Sequence, residues 1–239
     1  LFLFLLTPVH ADQPQPQTGK VRELIEFAIK KFEQTPHDKW SFQVSRYNDE
    51  EGEVTSSIEL YQPEISENST SGESEVFPNW RLQKLNGKTP TLKQKKAFVD
   101  KMRKDDEQSE NVSLKLSKLI LTDNLTVTSV TATHKIVAFD LFLKKLGKSA
   151  SESLIGSLKY NRQEKFIEQI TITNKETFSP VFTASITDFQ LSFDFIKRQE
   201  HILIAQQQMN MKGTFAFVTE INEVSTHTFS NYRLITKAY

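Results

Sequence analysis

Phe189-Gln190-Leu191-Ser192-Phe193-Asp194-Phe195 places apolar side chains at every odd position and polar ones at every even position. Successive side chains of a strand point to opposite faces, so the stretch reads as a half-buried antiparallel strand with a Phe-rich face. Its neighbours repeat the habit. Asp188 and Lys197-Arg198-Gln199-Glu200 bound it, and His201 to Met211 sets Leu203, Ala205, Met209 and Met211 in β-prone sequence. Gly213 reads as punctuation before a further strand, Thr214 to Thr219, which carries Phe215 and Phe217; Val224 to Ile235 reads as the last strand. Upstream, Gly156 to Tyr160 and Phe166 to Thr173 flank the polar segment Asn161 to Lys165, the pattern of a hairpin. No segment of helical period interrupts Gly156 to Tyr232. That favours a meander of neighbouring antiparallel strands over a parallel βαβ sheet.

The earlier part of the chain supplies helices and further strands. Val21, Leu24, Ile25, Ala28, Ile29 and Phe32 recur at steps of three and four, which predicts an amphipathic helix from Thr18 to about Glu33, ended by Pro36. Trp40 to Tyr47 alternates as a strand, Asn48 to Gly52 is a turn, and Val54 to Tyr61 returns. Gln62 to Val76 is Ser- and Glu-rich and reads as a mobile surface loop. Trp80 to Leu85 is a short strand stopped by Asn86-Gly87. Thr91-Leu92-Lys93-Gln94 then fits a capping box that starts a second helix, to about Lys104, with a basic face at Lys93, Lys96 and Lys101. Such a face is most simply solvated. Val112 to Leu121, Leu125 to Thr131 and Lys135 to Leu143 read as strands, and 147–153 as a connection with a short helical turn. No linker or internal repeat divides the chain.

Composition narrows the function classes. The chain has 239 residues, 30 basic and 30 acidic, and therefore no net charge to draw in nucleic acid. Leu1 to Leu6 followed by Val9-His10-Ala11 reads as the end of a truncated secretory signal over 1–11, cleaved before Asp12, with a Pro/Gln-rich leader over 12–17 and one domain over 18–239. Six apolar residues are too few to span a bilayer, which needs about 20, so an integral membrane protein is not expected. With no cysteine there is no disulfide, thiol nucleophile or lipid-modified cysteine. Export without cysteine points to a bacterial periplasm, and the sequons at Asn68, Asn111 and Asn124 are then chance matches.

Catalytic signatures are missing. His10, His37, His134, His201 and His227 are scattered without metal-ligand spacing, and neither a G-x-S-x-G elbow, an S-x-x-K triplet nor a Gly-rich phosphate loop occurs. No catalytic residue, metal ligand or cofactor is nominated, and an enzyme is not expected. A hydrolase with a site dispersed over distant strands is the weakest of the three readings.

The layout of helix, Trp-bearing hairpin, Gly156-Ser157-Leu158-Lys159-Tyr160 strand, polar turn and Phe166 to Thr173 strand resembles the periplasmic half-barrel superfamily of lipoprotein carriers, the LolA/LolB-like fold. The segment Trp80 to Thr91 also looks like a pattern in uncharacterised bacterial exported proteins. The resemblance implies a mainly β, α+β fold: a curved antiparallel sheet of about ten strands, with the two amphipathic helices on its concave side, around an apolar hollow. The expected function is a soluble periplasmic binding or carrier-like protein whose apolar cleft holds a lipid or another hydrophobic partner. The candidate cleft residues are Leu24, Ile25 and Phe32 on the first helix and Phe189, Leu191, Phe193, Phe215 and Phe217 on the sheet. The alternative is an envelope protein-interaction or sensing module whose hollow is filled by its own side chains.

Overall fold

The computed structural model describes residues 17–63, 79–108, 114–143, 146–216 and 218–235. The expected signal, nearly all of the leader, most of the Ser/Glu-rich loop and Phe217 lie outside them. Among the described residues, ten antiparallel strands form one open, curved sheet: β1 (Trp40–Glu50), β2 (Glu53–Tyr61), β3 (Trp80–Leu85), β4 (Ile120–Val130), β5 (His134–Leu141), β6 (Leu154–Asn161), β7 (Phe166–Asn174), β8 (Ala184–Arg198), β9 (His201–Phe215) and β10 (Thr219–Leu234). Their spatial order is β3-β2-β1-β10-β9-β8-β7-β6-β5-β4. Two meanders, β1–β3 and β4–β10, are thus joined edge to edge where the first strand pairs with the last. The helices are α1 (Gln17–Glu33), α2 (Leu92–Gln108), α3 (Leu116–Leu119) and α4 (Gly147–Glu152).

Local sequence explains the turns. Glu51 and Gly52, at φ 54° and 89°, make the two-residue connection of β1 to β2, where both positions sit in the left-handed region that matches strand twist. Asn86-Gly87 does the same after β3, with paired backbone bonds between Leu85 and Lys88. The hairpin read at Asn161 to Lys165 is present as β6–β7. The Asn161 carboxamide oxygen accepts from the backbone N–H groups of Gln163 and Glu164, which folds the turn back on itself. The capping box also forms: Thr91 N–H donates to Gln94 Oε1 at 2.9 Å, and Gln94 N–H to Thr91 Oγ1 at 3.3 Å.

The α1 stripe buries as its period requires. Val21, Ile25, Ala28, Ile29 and Phe32 are buried, and Leu24 is half-buried against the same cluster. Beneath it one transverse row of the sheet runs in register through Val127, Val137, Leu158, Ile170 and Phe193. The next row runs through Leu125, Phe139, Gly156, Ile172 and Leu191. Along β4 to β7 these positions alternate with less buried ones, and α1 and the inner face of β4–β8 share one core.

Three local readings change. Leu116–Leu119, expected within a strand, is helical, because both leucines turn inward to the core beside α1 while Lys115 and Ser117 face out. Of the strands expected at Val112–Leu121 and Leu125–Thr131, only Ile120 and Leu121 of the first are seen as strand, and they run on into the second as β4, with a register shift between Leu121 and Leu125. Gly213 does not end a strand; it lies inside β9. A Cβ there would stand 2.2 Å from the Ser185 carbonyl oxygen, so glycine lets β9 pass close to β8 beside a register shift. The stretch after it is the end of β9 and a turn, and β10 begins at Thr219.

Candidate functional site

The two rows under α1 change chemistry when they cross from β8 to the far half of the sheet. Phe193 is followed in register by Gln207, His227, Arg46 and Ser57, and Leu191 by Met209, Ser225, Asn48 and Thr55. Along these two rows the inner face is therefore apolar under α1 and polar on β10, β1 and β2. α1 packs on β4, β7 and β9, and α2 packs on β3. On β1 and β2 this face is buried at Val44 and Glu59 and half-buried at Phe42, Arg46, Ser57 and Tyr61.

At one end of this face stands a group of rings. Phe42 is central, with ring centroids at 5.0 Å from Tyr61, 5.4 Å from Tyr232, 5.7 Å from Trp80 and 5.8 Å from Phe229. Tyr61 meets Trp80 at 5.1 Å, and Trp40 meets Tyr232 at 6.1 Å. Pairing in register places Phe42, Tyr61 and Trp80 side by side across three strands. A left-handed residue, Asn231, marks the register shift between β1 and β10 that brings Tyr232 over Phe42. Trp40 is buried, but the other five rings are only half-buried. Its indole N–H is buried with no hydrogen-bond acceptor, and the Tyr232 hydroxyl, which donates to the Ile204 carbonyl at 2.6 Å, has its pKa raised by burial.

One step along β1 lies a buried ionic group. Glu59 is 3% exposed. Arg46 Nε donates to its Oε2 at 2.8 Å, and Ser57 Oγ donates to its Oε1 at 2.7 Å. Arg46 Nη1 stands 3.0 Å from His227 Nδ1 and 3.4 Å from Nε2, so the guanidinium donates to the imidazole ring. Burial, then the Arg46 charge, depresses the His227 pKa to about 4. The four side chains thus form one hydrogen-bonded group across β10, β1 and β2, with the Ser57 hydroxyl on the carboxylate.

The expected cleft residues divide. Ile25, Phe32, Phe189 and Phe193 are buried in the core, and Leu24 and Leu191 pack against it. Phe32 meets Phe195 edge-on at 5.2 Å. Phe215 shares the inner face but stands 47% exposed at the far end of β9, and Phe217 lies outside the described residues. Two open clefts are polar-rimmed: about 450 Å³ between α1 and α3, beside Glu26, Lys30 and Glu33, and about 430 Å³ beside Lys159, Glu168 and Lys197. Among the described residues no group of His, Asp or Glu could hold a metal ion, and no helix is long and apolar enough to cross a membrane. The ring group and the Arg46 cluster were not singled out from sequence. The one available signal was that both tryptophans of the chain flank the β1–β3 meander, at 40 and 80.

No family model matches the chain, and no curated protein matches it. Among solved structures it is similar to a DUF1329 family protein from Desulfovibrio piger, at 8% identity over 93% of this chain and 95% of that one, with a TM-score of 0.38. It is also similar to MucB in complex with MucA(peri), at 8% identity over 89% of this chain and 100% of that one, with a TM-score of 0.23. Likeness at this level leaves the function to be read from the chain's own residues.

Proposed function

We propose that this chain is a non-enzymatic binding protein of the bacterial periplasm that takes an extended, apolar segment of a partner protein at the ring group on β10, β1, β2 and β3. The observation that carries this reading is the group of five partly exposed rings on β10, β1, β2 and β3. Flat aromatic surface offers large contact area at little entropic cost and is a recurrent anchor for partners. β3 is an edge of the sheet, so an extended segment added beside it would set one inward side chain next to Trp80, in line with Tyr61 and Phe42. A carrier with an enclosed acyl-chain cavity is the less supported reading. Such sites bury most of their ligand, whereas the stripe of α1 here fills the hollow beneath it with Ile25 and Phe32. The buried Arg46–Glu59–His227 group then serves as a rigid floor beside the rings.

The two tryptophans both belong to this ring group, so their emission reports on the site without a label. Titration with extended apolar peptides is expected to shift or quench that emission. Phe42→Ala and Tyr61→Ser should weaken the response on the order of tenfold each, as loss of an aromatic anchor does. A monomeric lysophospholipid should give a smaller response. No change with any peptide, or a change indifferent to both substitutions, overturns the reading. A strong response to the lysophospholipid alone favours the carrier.

A further inference from the structure

The β7–β8 connection and the β9–β10 turn meet at one end of the sheet. Ala216 N–H donates to the Thr183 carbonyl at 2.7 Å, and Phe215 lies in register with both Ala184 and Thr219. The two segments form one double-tipped protrusion, and its tips are apolar and in solvent. Phe182 is 91% exposed, Val218 84%, Val181 55% and Phe215 47%. The sequence carries no charge from Thr177 to Thr187 or from Gly213 to Thr219, in a chain of which 25% of the residues are charged. Charges resume at once below the tips, with Glu176, Glu220 and the cross-strand neighbours Asp188 and Lys212.

Single exposed apolar side chains are ordinary on protein surfaces, but a contiguous apolar patch marks an interaction site. The shape narrows the occupant. The bare side chains stand on turns at the end of the sheet, and the boundary of headgroups and acyl chains yields to such side chains. The collar of charges of both signs sets a depth limit and gives no preference for anionic lipid. We propose that this end of the sheet inserts into the interface of a lipid bilayer, Phe182 and Val218 leading, and that apolar burial holds it there. The inference is independent of the aromatic site, which lies at the other end of β10 and on β1 to β3.

The test uses the full chain and vesicles of pure phosphatidylcholine, read by co-sedimentation. Association is expected, with little change between low and molar salt. Phe182→Asp and Val218→Asp should each lower the partition on the order of tenfold, while leaving the melting temperature unchanged because both side chains stand in solvent. In a Phe182→Trp variant, the added emission should be quenched by brominated acyl chains. Three results overturn the proposal: no association with these vesicles, association that neither Asp substitution weakens, or association only with anionic vesicles that salt abolishes. Self-association that Phe182→Asp abolishes, without vesicle binding, would overturn it in favour of a second copy as the occupant.

Discussion

Gly156 shows how a single atom can be decisive. It sits mid-strand in β6, opposite Phe139 in register, and a Cβ there would fall 2.2 Å from the Phe139 ring. The ring lies flat over the glycine and uses the space a side chain would take. Gly156→Ala should therefore cost about 1–3 kcal/mol in urea denaturation, the usual penalty for overpacking a close-packed core. Phe139→Leu in the same background should recover part of it. Arg46 gives the opposite kind of test. Glu59 is almost wholly buried and Arg46 is its charged partner, so Arg46→Ala leaves a buried carboxylate unpaired. That should cost about 3 kcal/mol, near the low end of measured cases because Arg46 keeps some water contact. Glu59→Gln added to it should restore much of the loss; an additive loss would mean that the two do not act as a pair.

At the scale of elements, the structure makes α1 a fixed part of the core. Ile25→Ala and Phe32→Ala should each destabilise by about 2–5 kcal/mol in denaturant titration, with no gain in binding of an apolar dye. A small loss with increased dye binding would instead show α1 to be a movable lid. This helix was legible because its apolar period is local and strong, as were the Asn86-Gly87 turn and the Thr91–Gln94 cap, each of which needs only a few neighbouring residues. The elements that escaped sequence reading depend on packing. Leu116–Leu119 is too short to show a helical period, and it coils because two leucines must both reach the core. Gly213 looked like a break because its reason, the nearness of Ser185, lies on another strand.

Across the whole molecule, the site was illegible for the same reason at greater distance. Arg46 and His227 are 181 residues apart in sequence, and no local pattern foretells that β1 and β10 pair. The transverse rows, which turn from apolar to polar between β8 and β10, exist only once that register is known. A global consequence concerns pH. His227 has a folded pKa depressed to about 4, below an unfolded value of about 6.5, and burial also lowers that of His37. The folded state thus binds fewer protons than the unfolded one, so stability should be flat above pH 6.5 and fall as pH drops towards 4. Allowing for partial exposure of the ring, His227 should account for about 1–2 kcal/mol of that fall. Denaturation of His227→Gln measured at a series of pH values should show a shallower slope; an unchanged slope would assign the effect elsewhere.

The seam between the first strand and the last also governs time. β1 can pair with β2 as soon as both exist, but its other edge finds β10 only after the rest of the chain has been made, since Trp40 pairs with Leu234. Contacts of such long separation are paid for in loop entropy before they return any energy, and they slow folding. Until then the β1–β3 meander carries an unpaired edge and uncovered rings, the combination that invites misassociation. Refolding followed by tryptophan emission should accordingly show a late phase, because Trp40 stands at the seam that closes last.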